Sequence, residues 1–482
     1  MGLINFSGIA SGIDSEGLIS ATSEAARQAR VKPSQDQVSK LQDTNAAYGS
    51  LKSRMESLQT LLREMGTVAG GALARSFASA DETKLTGTAT SNASNATYNV
   101  NVERLARNHV MTFGNTFTST SQIFNDAPLS AGLVDPDPVS FTIGTGTDQE
   151  TVTFDLSPTS TVSDFVTKFN EESSKAVASV VQTGTNTYKV VITSLNEGTD
   201  KGTIAITPGY SAAVDTALGI AGRVESAAQN ARLRVAGINS LDYGAAPTDY
   251  IERSNNTITD VIPGVTLKLN STNITNESVS VRVTTDNATT TARMQDFVDA
   301  YNEIVQFINE NNRIVRQEDG ENVDNVFGPL ASTRTDDNAL SALRSTLSGS
   351  RYEDGSAVRI FADLGIKTAR DGTLEFDTDD FSTALDNEPD SVNSVIKNFA
   401  DAAGLTGGTI DLYVRFNGLI DSTVNSNTDR IKRLNESIAR AEASILNNEQ
   451  TMRQRFARLE SLTGRLQSQQ SALTSALAGL GG

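Results

Sequence analysis

A run of large apolar residues spaced by seven dominates the end of this chain: Ile431, Ile438, Ile445, Met452, Leu459, Leu466, Leu473 and Leu480, with Val424 one interval upstream. Only a helix brings every seventh residue to nearly the same face, so the repeat predicts a coiled-coil strand. The companion positions three residues on are mixed, with Leu434, Ala441 and Leu462 alternating with Asn448, Arg455 and Gln469. No proline interrupts the run, and the first interior glycine is Gly464. At about 1.5 Å rise per residue, residues 424–480 make a rod of roughly 85 Å. Such a stripe has to be covered by something.

The other end of the chain offers part of the cover. Tyr48, Leu51, Met55, Leu58, Leu62 and Met65 alternate three and four apart, the seam of a second coiled-coil strand. Its helix starts near Pro33, which suits a first turn and would break an interior. Upstream, Asp14 is placed to cap a short helix carrying Leu18, Ile19 and Thr22. A third helix is expected over residues 290–312, with Met294, Phe297, Val298, Tyr301, Ile304, Val305 and Ile308 on one face. The two ends and this helix are expected to pack side by side. The N-terminal seam reaches roughly 46 Å, so part of the long stripe is left for another chain. That leftover, with residues 1–40, is expected to be mobile in the free protein.

Between the ends the apolar period changes to two. Residues 97–102, 151–155, 188–192, 233–235, 265–269 and 279–283 read as strands, with turns at 183–186 and at Pro263-Gly264. Thr161 and Asp164 form a capping box before Phe165, Val166 and Phe169. The fold class is therefore α+β and multidomain: a discontinuous helical coiled-coil stem from both ends, with an inserted β-rich head of two domains. The divisions expected are a leg over 1–35; a stem over 36–75 with 288–425, including a mixed connector over 320–400; an inner head over 76–112 with 225–287; an outer head over 113–224 nested in it; and a C-terminal leg over 426–482.

Charge and composition exclude several kinds of chemistry. The net charge is −18, yet residues 1–65 are neutral and residues 426–482 carry +3, which leaves −21 for the middle. Such a middle repels nucleic-acid phosphate and anionic lipid, so nucleic acid is not an expected partner. No run of about 18 apolar residues is present, so membrane insertion is not expected either. With no cysteine and a single histidine, His109, there is no thiol nucleophile, no zinc-type site and no serine–histidine relay beyond that one residue, which reads as a loop position. Asp135-Pro-Asp-Pro138 and Asp377-Thr-Asp-Asp380 lack the spacing of a calcium loop and read as solvated turns. Gly144-Thr-Gly146 lacks the last glycine of a dinucleotide fingerprint. No catalytic, cofactor-binding or metal-ligating residue is assigned, and no enzyme is expected.

Taken in order, several short motifs resemble one family. Phe6-Ser-Gly-Ile-Ala-Ser-Gly-Ile-Asp14, then Pro33 and Tyr48-Gly-Ser-Leu-Lys52, are similar to the start of the flagellar filament-capping proteins, the hook-associated protein 2 family. Tyr98-Asn-Val-Asn-Val-Glu-Arg-Leu-Ala106 resembles their first head strand. Ala228-Gln-Asn-Ala231, Arg253-Ser-Asn-Asn256 and Thr259-Asp-Val-Ile-Pro-Gly-Val-Thr-Leu267 form the most specific stretch. Gly328-Pro-Leu330, Leu364-Gly-Ile366 and Asp371-Gly-Thr-Leu374 complete the series. The glycine-rich ending Gly479-Leu-Gly-Gly482 departs from the pattern.

The resemblance implies a secreted homo-oligomer, a ring and on this resemblance a pentamer, at the distal tip of the bacterial flagellum. It implies flagellin, the hook–filament junction proteins and an export chaperone as further partners, and passage through the flagellar export channel. On this reading the heptad and N-terminal seam residues above form the coil and oligomer seam. Ile9, Ile13, Leu18, Ile19, Leu477 and Leu480 contact the filament as terminal legs. Two other readings stand beside it: an adhesin or carbohydrate-binding tip protein, which the absence of tryptophan disfavours, and another flagellar axial protein such as flagellin or a junction protein.

Overall fold

The computed structural model describes residues 12, 14–239, 249–273, 277–319, 322–353 and 355–479. The chain divides into a helical unit, residues 1–72 with 290–482, and a β-rich unit, residues 73–289. Helices run in the order α1 (Ser15–Arg30), α2 (Lys32–Met65), α3 (Val162–Glu172), α4 (Thr199–Gly202), α5 (Ala212–Leu218), α6 (Asn287–Asn311), α7 (Thr335–Gly349), α8 (Thr378–Asn387), α9 (Pro389–Gly404), α10 (Thr409–Val414) and α11 (Leu419–Gly479).

In the helical unit, α1 and α2 are separated by a single residue, the buried Val31. Asp14 caps α1 by accepting from the Gly17 N–H at 2.9 Å. Pro33 sits in the first turn of α2, where its missing N–H costs nothing. The whole apolar face of α6 named above is buried. Its Phe297 ring stands 5.5 Å from that of Phe399 on α9 and 6.0 Å from that of Phe361. The third helix is thus tied to α9, while Arg54 of α2 lies over its Phe307 ring at 4.4 Å.

The stretch 320–400, expected as a mixed connector, supplies α7, α8 and α9 as well as the hairpin of Ile366–Thr368 with Leu374–Phe376. Val392, Val395, Ile396 and Phe399 of α9 are fully buried, at helical spacing. Asp377, read as part of a solvated turn, is instead the cap of α8, accepting from Asp379 and Asp380 N–H groups at 3.1 and 3.0 Å.

In the β-rich unit every expected strand lies within an observed one. A five-stranded antiparallel sheet runs Arg75–Ser79, Val279–Thr285, Ala96–Arg104, Ala231–Val235, Ile251–Arg253. A three-stranded sheet of Thr257–Ile262, Val265–Leu269 and Leu85–Ala89 shares its core. A second core draws only on residues from Met111 to Ile220. Its sheets are Val224–Ser226, Asn108–Thr112, Thr187–Glu197, Ala176–Gly184 and Glu150–Leu156, Asp137–Ile143, Ile204–Ile206. The capping box forms: Thr161 Oγ1 accepts from Asp164 N–H, and the Asp164 carboxylate accepts from Thr161 N–H. It aims Phe165 and Phe169 into an aromatic cluster with Phe113, Phe141 and Phe154, ring centroids 5.3–6.4 Å apart.

His109 corrects the sequence reading. It is no loop residue but lies buried inside the strand Asn108–Thr112. Its Nδ1 accepts from the Ile204 N–H at 2.9 Å, and Nε2 faces the Glu225 carboxylate at 3.7 Å. Both of these contacts reach neighbouring strands, Ile204–Ile206 and Val224–Ser226, so the imidazole ties strands together.

Candidate assembly surface

The first turns of α11 pack on α2, and the α2 seam is spent there and on α9 and α10. Tyr48, Leu51, Met55, Leu58, Leu62 and Met65 are all buried within the same chain. Gly404, at the end of α9, allows a close approach to α2: a Cβ there would meet Leu62 Cβ at 2.8 Å. Lys52 donates to Asp421 at 2.6 Å, which holds that carboxyl below its usual range. Asn427 donates to Asn45 at 2.9 Å. Since 45 pairs with 427 and 52 with 421, the two helices run antiparallel.

Further along α11 the cover changes to α1. Arg453 donates to Glu16 at 2.6 Å and to Glu449 at 3.1 Å, and Arg27 approaches Glu449 at 3.9 Å. Along the stripe Ile431 and Ile438 are half-buried, Ile445 is fully buried and Met452 is half-buried. Then the cover ends. Leu459 is 44% exposed, Leu466 57%, Leu473 63% and Leu477 63%, with Leu462 equally open. Leu480 lies outside the described residues, as do Ile9 and Ile13.

α1 departs from the leg expected of it. Ile19, assigned to filament contact, is buried and cannot touch a partner in this state, whereas its neighbour Leu18 is 55% exposed. The described part of the N-terminal leg is therefore helix packed on α11. The cause is a short amphipathic face, Ser15, Ile19 and Ser23 at spacing four, small enough at both ends for a close helix contact.

The bare half of α11 is chemically specific. From residue 454 to 479 it carries Arg455, Arg458 and Arg465 against Glu460, so its leucines sit on a basic helix. No described helix is long and apolar enough to cross a membrane. Among the described residues no group of three or more His, Asp or Glu is placed to hold a metal. Two exposed features escaped sequence reading. Phe416, in the turn between α10 and α11, is almost fully exposed, and a hairpin of Ile314–Asp319 with Asn322–Phe327 shows Ile314, Val315, Val326 and Phe327. Phe416 owes its exposure to a turn, and the hairpin residues owe theirs to a two-stranded ribbon that joins no larger sheet.

Comparison with known proteins adds an independent line. The family model for the flagellar hook-associated protein 2 C-terminus matches residues 228–472, and that for its N-terminus matches residues 11–109. The A-type flagellar hook-associated protein 2 of Pseudomonas aeruginosa is 26% identical over 504 aligned positions, covering 97% of each chain. The flagellar hook-associated protein 2 of Escherichia coli K12 is 25% identical, covering 98% of each. Among solved structures, the D1-D2-D3 domains of the flagellar cap protein FliD from Escherichia coli superpose with a TM-score of 0.56 at 22% identity, over 79% of this chain and 99% of that one.

Proposed function

Since this chain belongs to the flagellar hook-associated protein 2 family, we propose that it caps the flagellar filament by seating the bare half of α11 against the subunits at the filament end. The carrying observation is the exposed row Leu459, Leu462, Leu466, Leu473 and Leu477 on a helix whose first half is already occupied. An apolar row of this length is costly in water, at about 25 cal/mol per Å², and lowers its free energy by finding a partner.

The partners proposed are copies of itself in a ring and flagellin; the junction proteins and an export chaperone are also proposed. Delivery to the tip would be by secretion through the flagellar channel. The polar seam positions Arg455 and Gln469 keep each coil contact weak, because a polar residue at a seam position lowers stability. A weakly held tail can let go and re-seat each time a flagellin subunit is inserted, while the cap keeps unpolymerised flagellin from escaping. Catalysis has no part in this reading.

The test is a triple substitution, Leu459→Ser, Leu466→Ser and Leu473→Ser, in cells whose own copy is removed. Purified protein should melt close to the wild-type temperature, since these side chains are largely exposed among the described residues. Cells should shed flagellin monomer into the medium and carry short filaments or none. Full-length filaments would refute the proposed seat.

A further inference from the structure

Among the described residues, the hairpin of Ile314–Asp319 with Asn322–Phe327 is a two-stranded ribbon that joins no larger sheet. Ile314 stands opposite Phe327 and Val315 opposite Val326, so the alternation of a strand puts one apolar pair on each face. All four side chains are exposed. Lys40 of α2 lies over the Phe327 ring at 5.2 Å, which marks that face as the one towards α2 and leaves the Val315–Val326 face turned away. A lone two-stranded ribbon is marginal in water, and an uncovered apolar pair lowers its free energy by finding a partner.

Charge says what kind of partner. Residues 314–327 carry Glu318, Asp319, Glu321 and Asp324 against Arg316, a net −3, and adding Lys40 leaves the sum acidic. The acids gather in sequence about the turn, while the apolar pairs stand at the other end of the ribbon. The bare half of α11 is laid out the same way with the opposite sign. Arg455, Arg458 and Arg465, all exposed, come first, and residues 466–479 carry no charge but present Leu466, Leu473 and Leu477. The spacing also agrees. From the turn to Val326 is about 17 Å along a strand, and from the middle of the arginine stretch to Leu473 is about 20 Å along a helix.

We propose that this ribbon holds the bare half of α11 from a neighbouring copy of the chain, an inference that rests on the tail-docking reading above. The arginines lie along the acidic turn, and the uncharged leucines lie on the Val315–Val326 face. The chain's own tail cannot reach it. Asn427 touches Asn45, close to Lys40 on α2, whereas Leu459 lies about 48 Å further along the same unbroken helix. Ribbon on one copy and tail on the next make a head-to-tail contact, the kind that closes a ring. The contact is weak in dilute solution, where the tail stays bare, and fills when copies are gathered at high local concentration. The ribbon then shelters the leucine row until a filament end takes it.

The chain has no cysteine, so engineered thiols report single contacts. Full-length Val326→Cys and Leu473→Cys proteins, mixed at near-millimolar concentration and oxidised with diamide, should give a mixed dimer joined through those two residues, located by peptide mass. Val315→Cys, on the same face, should link as well, which guards against a folding defect in the Val326 variant. Thr60→Cys, exposed at the far end of α2, sets the collisional background, which the mixed dimer should exceed severalfold. Arg455→Glu with Arg458→Glu in the Leu473→Cys partner should cut the yield roughly tenfold, and half-molar salt should lower it too. A yield at the Thr60 background, dimers through Leu473 alone, or indifference to the charge reversal would each overturn the assignment. The assay contains no flagellin, so its failure leaves the filament seat standing, and flagellin shedding by the triple serine variant tests that seat without the ribbon.

Discussion

At the scale of single residues, Asp336 is the clearest case of a polar side chain placed for geometry. It is fully buried at the start of α7 and accepts from Tyr48 Oη at 3.3 Å, Asn312 Nδ2 at 2.9 Å and Thr333 Oγ1 at 2.5 Å. It therefore joins the N-terminal helix to α6 and α7 across nearly 300 positions of sequence. Asp336→Ala should cost about 3 kcal/mol by urea titration, because it strands the donors that converge on it, while Tyr48→Phe should cost about 1 kcal/mol. His109 acts differently. Burial lowers its pKa from the ordinary 6.5, with Glu225 opposing and Arg223 assisting. The unfolded chain then takes up a proton near pH 6.5 while the folded one does not, so stability is present above that pH and falls as the solution is acidified through it. Melting temperature should drop more steeply between pH 7 and pH 5 in the parent than in His109→Gln, whose amide oxygen can still accept from Ile204. Equal slopes would show that the imidazole carries none of the acid sensitivity.

At the scale of elements, helix ends explain more than helix interiors. Thr161→Ala removes an oxygen that accepts the Asp164 N–H and should lower the stability of the aromatic core around Phe165 by about 1 kcal/mol. Gly464 stands in the interior of the uncovered half of α11. Glycine there costs roughly 0.5–1 kcal/mol relative to alanine, so Gly464→Ala should raise helicity of the tail by circular dichroism. A cap whose tail must release and re-seat should then be slowed rather than helped, seen as slower filament growth in cells. The capping box, the strand alternations and the α6 stripe were all legible beforehand because each is a local pattern. α9 carries an equally regular stripe and went unread beside the loops around it. The burial of Ile19 was not legible at all: one isoleucine between two serines has no periodic partner, and only the nearby α11 shows which side is covered.

At the scale of the whole molecule, the two ends differ in how they are held. Amides of α2 should exchange with solvent only on global unfolding, whereas those of residues 456–477 should exchange within the first minutes, since their leucines Leu459, Leu462, Leu466, Leu473 and Leu477 are exposed. Residues 15–30 should fall between, held by packing on α11, by contact with α2 and by the Glu16–Arg453 and Arg27–Glu449 ion pairs. These pairs are exposed and add little. Protection of residues 456–477 as strong as that of α2 in the isolated protein would mean the tail is already partnered and the seating mechanism is wrong.

Sequence by itself determined that helical ends flank a β-rich middle along the chain, that the long stripe exceeds its N-terminal cover, and that thiol chemistry has no cysteine to draw on. Periodicity and residue inventory carry those facts without any knowledge of contacts. Tertiary structure alone decided where the cover stops, which of Leu18 and Ile19 faces solvent, that α9 and α10 take much of the seam, and that His109 lies inside. Those outcomes depend on which surfaces meet, and apolar burial, being non-directional, reports that a face must be hidden without saying by what.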